Sequence, residues 1–425
     1  MYRRLQRLAR LAVPLGLIAL AATSTAQAGR PATSATKLPY ALPAQGTPPP
    51  FSIFGLDHGT FDRNPIDYNP KEFVYEHKLG GRWTHFNGNA IHWKNGNPDW
   101  SSLDFGIKLA RKHGLAVLLS LGGEPHACSI HPTPNPIYNC PPTTSSDLKA
   151  YQSFVREEVL RYRNVVSYYE SWIEPNHTGK WPPYPNPAQY AALLKDQYSV
   201  FQSVNKEYGL HLKLLFAGPN GFSTGPGSSG GMAVLPWTDQ VLTALRGQRP
   251  FDAVGLHPFR LPPVSPGTKE YDDVKGIPAR PGTQGPFSNC SWANPATKIT
   301  CLMNWRQEIE AYEQDFTIHG YGKPDLWLTE FGWPGVSKVP PHPQPSAAYY
   351  PRLKAQKSDL EAAYKIILSL PFVKAASWFN ERDYVPGVQT TDPPFYAHMG
   401  LLTYSFGYKP AGNAFEALSR KYPSR

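Results

Sequence analysis

Cysteine is scarce in this sequence, with four among 425 residues. None of the four forms a C-x-x-C pair, the arrangement in which structural zinc sites usually draw their thiolates. His58, His85 and His92 lack metal-ligand spacing as well, so no metal and no cofactor is expected. Beyond residue 28 there is no second long apolar run, which excludes an integral membrane span of the ordinary helical kind. The basic residues are scattered, and without a basic stripe a nucleic-acid partner is not expected. The first strand-like run is followed by Gly55-Leu56-Asp57-His58-Gly59. That is not the G-x-G-x-x-G turn of a doubly wound dinucleotide fold. Gly227-Ser228-Ser229-Gly230-Gly231 matches G-x-S-x-G but lies inside a Gly/Pro/Ser loop. A nucleophile elbow needs a strand before it and a helix after it. No internal repeat is present.

What the chain does have begins with an export signal. Arg3, Arg4, Arg7 and Arg10 precede an apolar run over residues 11–22, and Ala26-Gln27-Ala28 fits a small-x-small cleavage site. Residues 1–28 therefore read as a signal peptide, with the twin-arginine route left open by Arg3-Arg4. The formal net charge of +10 becomes +6 once these four arginines are removed. Residues 29–50, rich in Pro, Ala, Thr and Ser, read as a flexible lead-in, and residues 51–425 as one catalytic domain. A secreted or periplasmic location is expected, and there an even number of cysteines suggests disulfides. Three pairings of Cys128, Cys140, Cys290 and Cys301 are open. The local one, Cys128–Cys140 with Cys290–Cys301, closes two short loops and is favoured.

From residue 51 onward, short apolar runs alternate with helix-like stretches, the pattern of parallel βα units. Eight strands are predicted, at 51–56, 82–86, 116–121, 165–172, 212–217, 251–257, 325–330 and 373–379. Helices are predicted at 102–113, 147–162, 187–208, 238–246, 303–318 and 356–370, with a closing helix from Lys409 to Leu418. Eight such units predict an α/β fold, a (β/α)8 TIM barrel. Its long loops would lie on the C-terminal face, where barrel active sites form.

Two of the predicted strands end in an acid. Glu174 stands in Glu170-Ser171-Trp172-Ile173-Glu174-Pro175-Asn176, and Glu330 in Leu328-Thr329-Glu330-Phe331-Gly332-Trp333. A carboxylate at the end of a buried strand is costly unless something pairs or uses it. Hydrolysis of a glycosidic bond uses two such groups, one to protonate the leaving oxygen and one to attack or to activate water. Glu170 shares strand parity with Glu174 but lies deeper, and reads as a buried structural acid.

These segments resemble clan A of the glycoside hydrolases, closest in motif to families 39 and 5. The resemblance implies an acid/base on strand four, Glu174, and a nucleophile on strand seven, Glu330. It also implies a retaining double displacement, with Arg82 beside the nucleophile. Gly255-Leu256-His257-Pro258-Phe259 is similar to the strand-six element and Ser377-Trp378-Phe379 to that of strand eight. His257, Trp172, Trp333 and Trp378 are accordingly expected around the substrate. Trp93, Trp181 and Trp292 could form outer subsites. One residue departs from the pattern: Ile173 stands where the clan has an asparagine that bonds the sugar 2-OH, and Asn220 is a conceivable substitute. Glu174 is expected to have a raised pKa and free Glu330 to stay charged. The expected partner is an oligo- or polysaccharide, and the expected state a monomer. The alternatives are a non-catalytic carbohydrate-binding barrel and a glycan transglycosylase.

Overall fold

The computed structural model describes residues 40–47, 49–58, 69–87, 92–94, 97–122, 141–221, 231–259, 285–286, 302–337, 352–384 and 396–423. All of them belong to one compact unit, Tyr40–Arg425. Eight strands form a closed barrel: β1 Gly55–Asp57, β2 Trp83–Asn87, β3 Ala116–Ser120, β4 Tyr168–Glu170, β5 Lys213–Phe216, β6 Ala253–Leu256, β7 Leu326–Phe331 and β8 Val373–Phe379. Each strand pairs in parallel with its neighbours in sequence, and β1 closes on β8. Helices alternate with them: α1 Pro70–Leu79, α2 Ser101–Lys112, α3 Ser145–Tyr162, α4 Pro187–Tyr208, α5 Val234–Leu245, α6 Trp305–Ile318, α7 Leu353–Ser369 and α8 Pro410–Lys421. This is a (β/α)8 barrel. Two short antiparallel ribbons, His92–Lys94 with Asn97–Asp99 and Gly285–Pro286 with Leu302–Met303, stand outside it.

The helix starts follow their local chemistry. Asn69, Thr144 and Asn304 each close a capping box, with Glu72, Asp147 and Gln307 returning the bond, so two orphan backbone donors are satisfied at each start. Asn186 caps α4 through the Gln189 amide.

Alternation along the strands divides the core in two. Trp83, Ala116, Leu118, Leu215, Ala253, Trp327 and Ala375 fill the barrel interior. Phe51 packs on Trp327 at 4.7 Å, Tyr168 at 5.0 Å and Trp83 at 5.4 Å between ring centroids. These rings come from the strand starts and plug the N-terminal end. The outward residues form a larger layer against the helices, including Leu56, Leu119, Phe216, Val254, Leu328 and Ala376.

The lead-in proves shorter than expected. Leu42 is buried, its amide donates to the Arg161 carbonyl at 2.8 Å, and its own carbonyl accepts from the Asn164 side chain at 3.0 Å. Arg111 adds bonds to the carbonyls of Gln45 and Gly46. Residues 40–47 are thus held against the helix layer. Cys128, Cys140, Cys290, Cys301 and Trp292 lie outside the described residues.

Candidate active site

The inward residues at the C-terminal strand ends are polar: Asp57, His85, Ser120, Glu170, His257, Glu330 and Ser377. Strand parity puts most of them there, because each lies two or four positions beyond an interior apolar residue. Glu330 needs more than parity. Between Leu328, opposite Ala376, and Phe331, opposite Trp378, β7 takes three steps while β8 takes two. This bulge turns Thr329 and Glu330 both inward, a re-aiming that bulges commonly perform beside sites. Phe331 returns to the outer layer against Trp305 and Trp378, each at 5.5 Å.

Glu174 lies beyond the end of β4 with φ of +48°, a region that non-glycine residues enter only under constraint. The constraint is visible. Its amide donates to the Gly218 carbonyl at 3.2 Å, and its carbonyl accepts from the His177 amide at 2.8 Å. Asn176 pins the next turn. Its side chain accepts from the Asn220 amide at 2.6 Å and donates to the Asn220 and Met232 carbonyls at 2.9 Å.

The two acids meet across His257. Nδ1 of His257 is 3.0 Å from Glu174 Oε1 and 3.6 Å from Glu330 Oε2. One ligand-type atom from each of the three residues lies within 4.8 Å of the others. Asp57, His85 and Glu330 form a second such group. His85 lies 2.8 Å from Asp57, 2.7 Å from the Ser120 hydroxyl and 3.2 Å from Glu170. Glu170 also accepts from Ser120 at 2.6 Å, the Gly218 amide at 2.9 Å and Thr329 at 3.0 Å. It is a buried acid bonded on both oxygens. In both groups the histidine is hydrogen-bonded to the facing acid, His257 to Glu174 and His85 to Asp57.

The electrostatics reverse one expectation. Burial pushes Glu330 up to about 8, His257 opposes the rise, and the Asp57 and Glu174 charges add to it. Glu174 is also pushed up by burial, but the hydrogen bond and charge of His257, with His177 and Lys180, bring it down to about 2. His257 itself, lowered by burial, is carried up to about 9 by the Glu330 charge and by Glu174. In the free site burial and like charge thus favour the neutral form of Glu330, and His257 favours the charged form of Glu174. Glu170 stays below the usual range despite its burial, because His85 donates to it.

Other expected residues are placed elsewhere. Arg82 precedes β2, is exposed, and stands at the opposite end of the barrel from Glu330. Its expected place as the neighbouring cation is taken by His257, with His85 close by. Trp378 has no exposed surface; it packs on Phe331 and Trp333 and donates to the Met399 carbonyl at 2.9 Å. Trp333 is buried against Trp305. Trp172 is buried against Tyr151 and Trp181 and donates to the Lys180 carbonyl at 3.1 Å. Trp181 is buried as well. All four belong to the outer packing layer and present no open ring face to a sugar. Trp93 lies in a ribbon strand whose side chains are outside the described set. Asn220 is 7% exposed and bridges its backbone to His257, beside the acids. Ile173 is buried. His85, Asp57 and Ser120 were missed as site residues, although inward parity with Trp83 was a usable signal for His85.

Solved structures with this architecture are known. A family 39 glycoside hydrolase from Bacteroides cellulosilyticus WH2 matches at 18% identity and TM-score 0.53, over 86% of this chain and 63% of its own. A GH5_18 protein from Bifidobacterium longum subsp. infantis matches at 14% identity and TM-score 0.56, over 88% and 80%. The chain carries the barrel fold of these glycoside hydrolases. A monomeric beta-xylosidase from Caulobacter crescentus CB15 shares it at 18% identity and TM-score 0.53, over 87% and 68%. The chain thus spans less than two thirds of the first of these relatives. No protein-family model and no curated protein matches the sequence. Among the described residues, no helix is long and apolar enough to cross a membrane.

Proposed function

We propose that this chain is an exported retaining glycoside hydrolase acting on an extracellular glycan, with Glu330 as nucleophile and Glu174 as acid/base. The observation that carries the reading is that two buried carboxyl groups, one oxygen of each within 4.8 Å of the other, meet at the C-terminal mouth of a (β/α)8 barrel. Retaining enzymes hold their carboxyls about 5–5.5 Å apart, while inverting ones leave about 6.5–9.5 Å for a water. Glu330 attacks the anomeric carbon and forms a glycosyl ester. Glu174 protonates the departing oxygen and then takes a proton from the attacking water.

This assignment needs the proton on Glu174 when the sugar is bound, whereas the surroundings of the free site favour it on Glu330. His257 supplies a route between them. Its imidazolium gives the Nδ1 proton to Glu174 and takes the Glu330 proton on the same nitrogen. The products are neutral Glu174, ionised Glu330 and an imidazolium again, so charge and protons balance. A developing positive charge at the anomeric carbon favours that arrangement.

Turnover of a panel of aryl glycosides tests the reading. Glu330→Ala should abolish turnover with the fold retained. Glu174→Ala should lose most activity and regain part of it with azide and activated substrates. Normal activity of Glu174→Ala on every substrate would refute its role. A second reading, a non-catalytic carbohydrate-binding barrel, is favoured by Ile173, whose side chain can bond no sugar hydroxyl. Binding of oligosaccharides without turnover would support it.

A further inference from the structure

A second cluster of ligand-type side chains lies away from the mouth, between α5 and α6. Asp239 stands on α5, Asp315 in the last turn of α6, and His319 at that helix's C-cap. Asp315 and His319 are four positions apart, so both side chains project from one face of the helix end. His319 Nε2 is 2.9 Å from Asp239 Oδ1 and 3.8 Å from Asp315 Oδ1. The three ligand atoms lie within 4.8 Å of one another.

Asp315 makes this more than an ordinary ion pair. It is only 2% exposed, and among the described residues its Oδ2 has no hydrogen-bond partner. A second carboxylate, Asp239, faces it. A buried acid oxygen left without a partner is costly in a packed helix interface. The surrounding backbone is fixed. The Tyr321 hydroxyl donates to the Leu242 carbonyl at 3.0 Å and accepts from the Gly247 amide at 3.1 Å. That ties the segment after His319 to the end of α5.

We propose that Asp239, Asp315 and His319 form a site for one divalent cation of the zinc class, clipping α5 to α6. Tetrahedral zinc with ligands at about 2.0–2.1 Å separates neighbouring donors by about 3.3 Å. The two observed histidine–carboxylate spacings fall on either side of that value. A mixed N,O,O donor set suits zinc, cobalt or nickel, whereas magnesium and calcium prefer oxygen alone. Asp239 and His319 are partly exposed, at 38% and 20% of their side chains, which leaves an entry path and room for a water as fourth ligand. The helix end lies toward the N-terminal face of the barrel, where features serve stability rather than chemistry. The ion stabilises the α5–α6 pair and leaves turnover unchanged.

Calorimetric titration of the metal-stripped, tag-free full chain with zinc chloride tests this, alongside thermal melts in zinc, magnesium and EDTA. Wild type should bind zinc saturably and melt several degrees higher in zinc than in EDTA, with no such rise in magnesium. His319→Ala and Asp315→Asn should each lose one equivalent of zinc and the rise in Tm. Asp315→Asn is nearly isosteric, so it keeps a folded test protein if His319→Ala does not fold. Unchanged zinc stoichiometry in Asp315→Asn, or no saturable binding by wild type, overturns the proposal. In the former case the ion sits elsewhere, such as on the Glu174–His257–Glu330 group.

Discussion

Glu174 and Glu330 sit in different surroundings although they share one imidazole. His257 lies 3.0 Å from the first and 3.6 Å from the second; His257, His177 and Lys180 hold Glu174 down, while burial and the charges of Asp57 and Glu174 push Glu330 up. The two carboxyls titrate as a pair, one low, at about 2, and one high, at about 8. As pH rises through about 8 the pair loses its last proton, and no acid remains for the leaving group. The value of kcat/KM should therefore fall on the alkaline side near pH 8, as a pH profile with an activated substrate will show. His257→Ala removes both the cation and the proposed route between the acids. It should lower kcat at least about tenfold and reshape that profile. Both acids were legible in the sequence, since each ends an apolar run. Their different surroundings were not, because these come from groups far apart in the sequence, His257 standing 83 positions from Glu174.

The strands were legible as short apolar runs set between helix-like stretches, and all eight predicted runs contain or overlap a barrel strand. The aromatic residues at their ends were harder to assign. Trp378 follows inward Ser377, so parity sends it to the helix layer. Trp333 lies past the β7 bulge, which returns Phe331 to the outside. Helix α1 was not predicted, and the reason is physical. Its buried face includes Glu72 and Glu76, acids that read as solvent-facing. They turn inward because His58 lies 3.0 Å from Glu72 and 2.8 Å from Glu76, with Arg382 also paired to Glu72. The close approach of β6 to Glu170 offers a test at this scale. A Cβ at Gly255 would come 2.6 Å from Glu170 Oε1 and 2.8 Å from the Gly218 amide. Gly255→Ala should destabilise the barrel by about 1–3 kcal/mol, measured as a lower denaturation midpoint, and should disturb the acids above it.

At the scale of the whole molecule, closure of the sheet brings strands four and seven to face each other across the mouth, and an aromatic plug seals the other end. The compact unit starts at Tyr40, ahead of the predicted domain start at 51, because Leu42 and its neighbours are bonded to α2 and α3. A chain beginning at Tyr40 should melt at the temperature of the full chain. Leu42→Ala, which empties a buried position, should cost about 2 kcal/mol or more.

The two-carboxyl mechanism meets its sharpest test in covalent trapping. The protein would be incubated with a panel of activated 2-deoxy-2-fluoro glycosides, and the labelled peptide located by mass spectrometry. An adduct on Glu330 is the predicted result. An adduct on Glu174, or ready turnover of parent glycosides with inverted products and no adduct at all, would contradict the account.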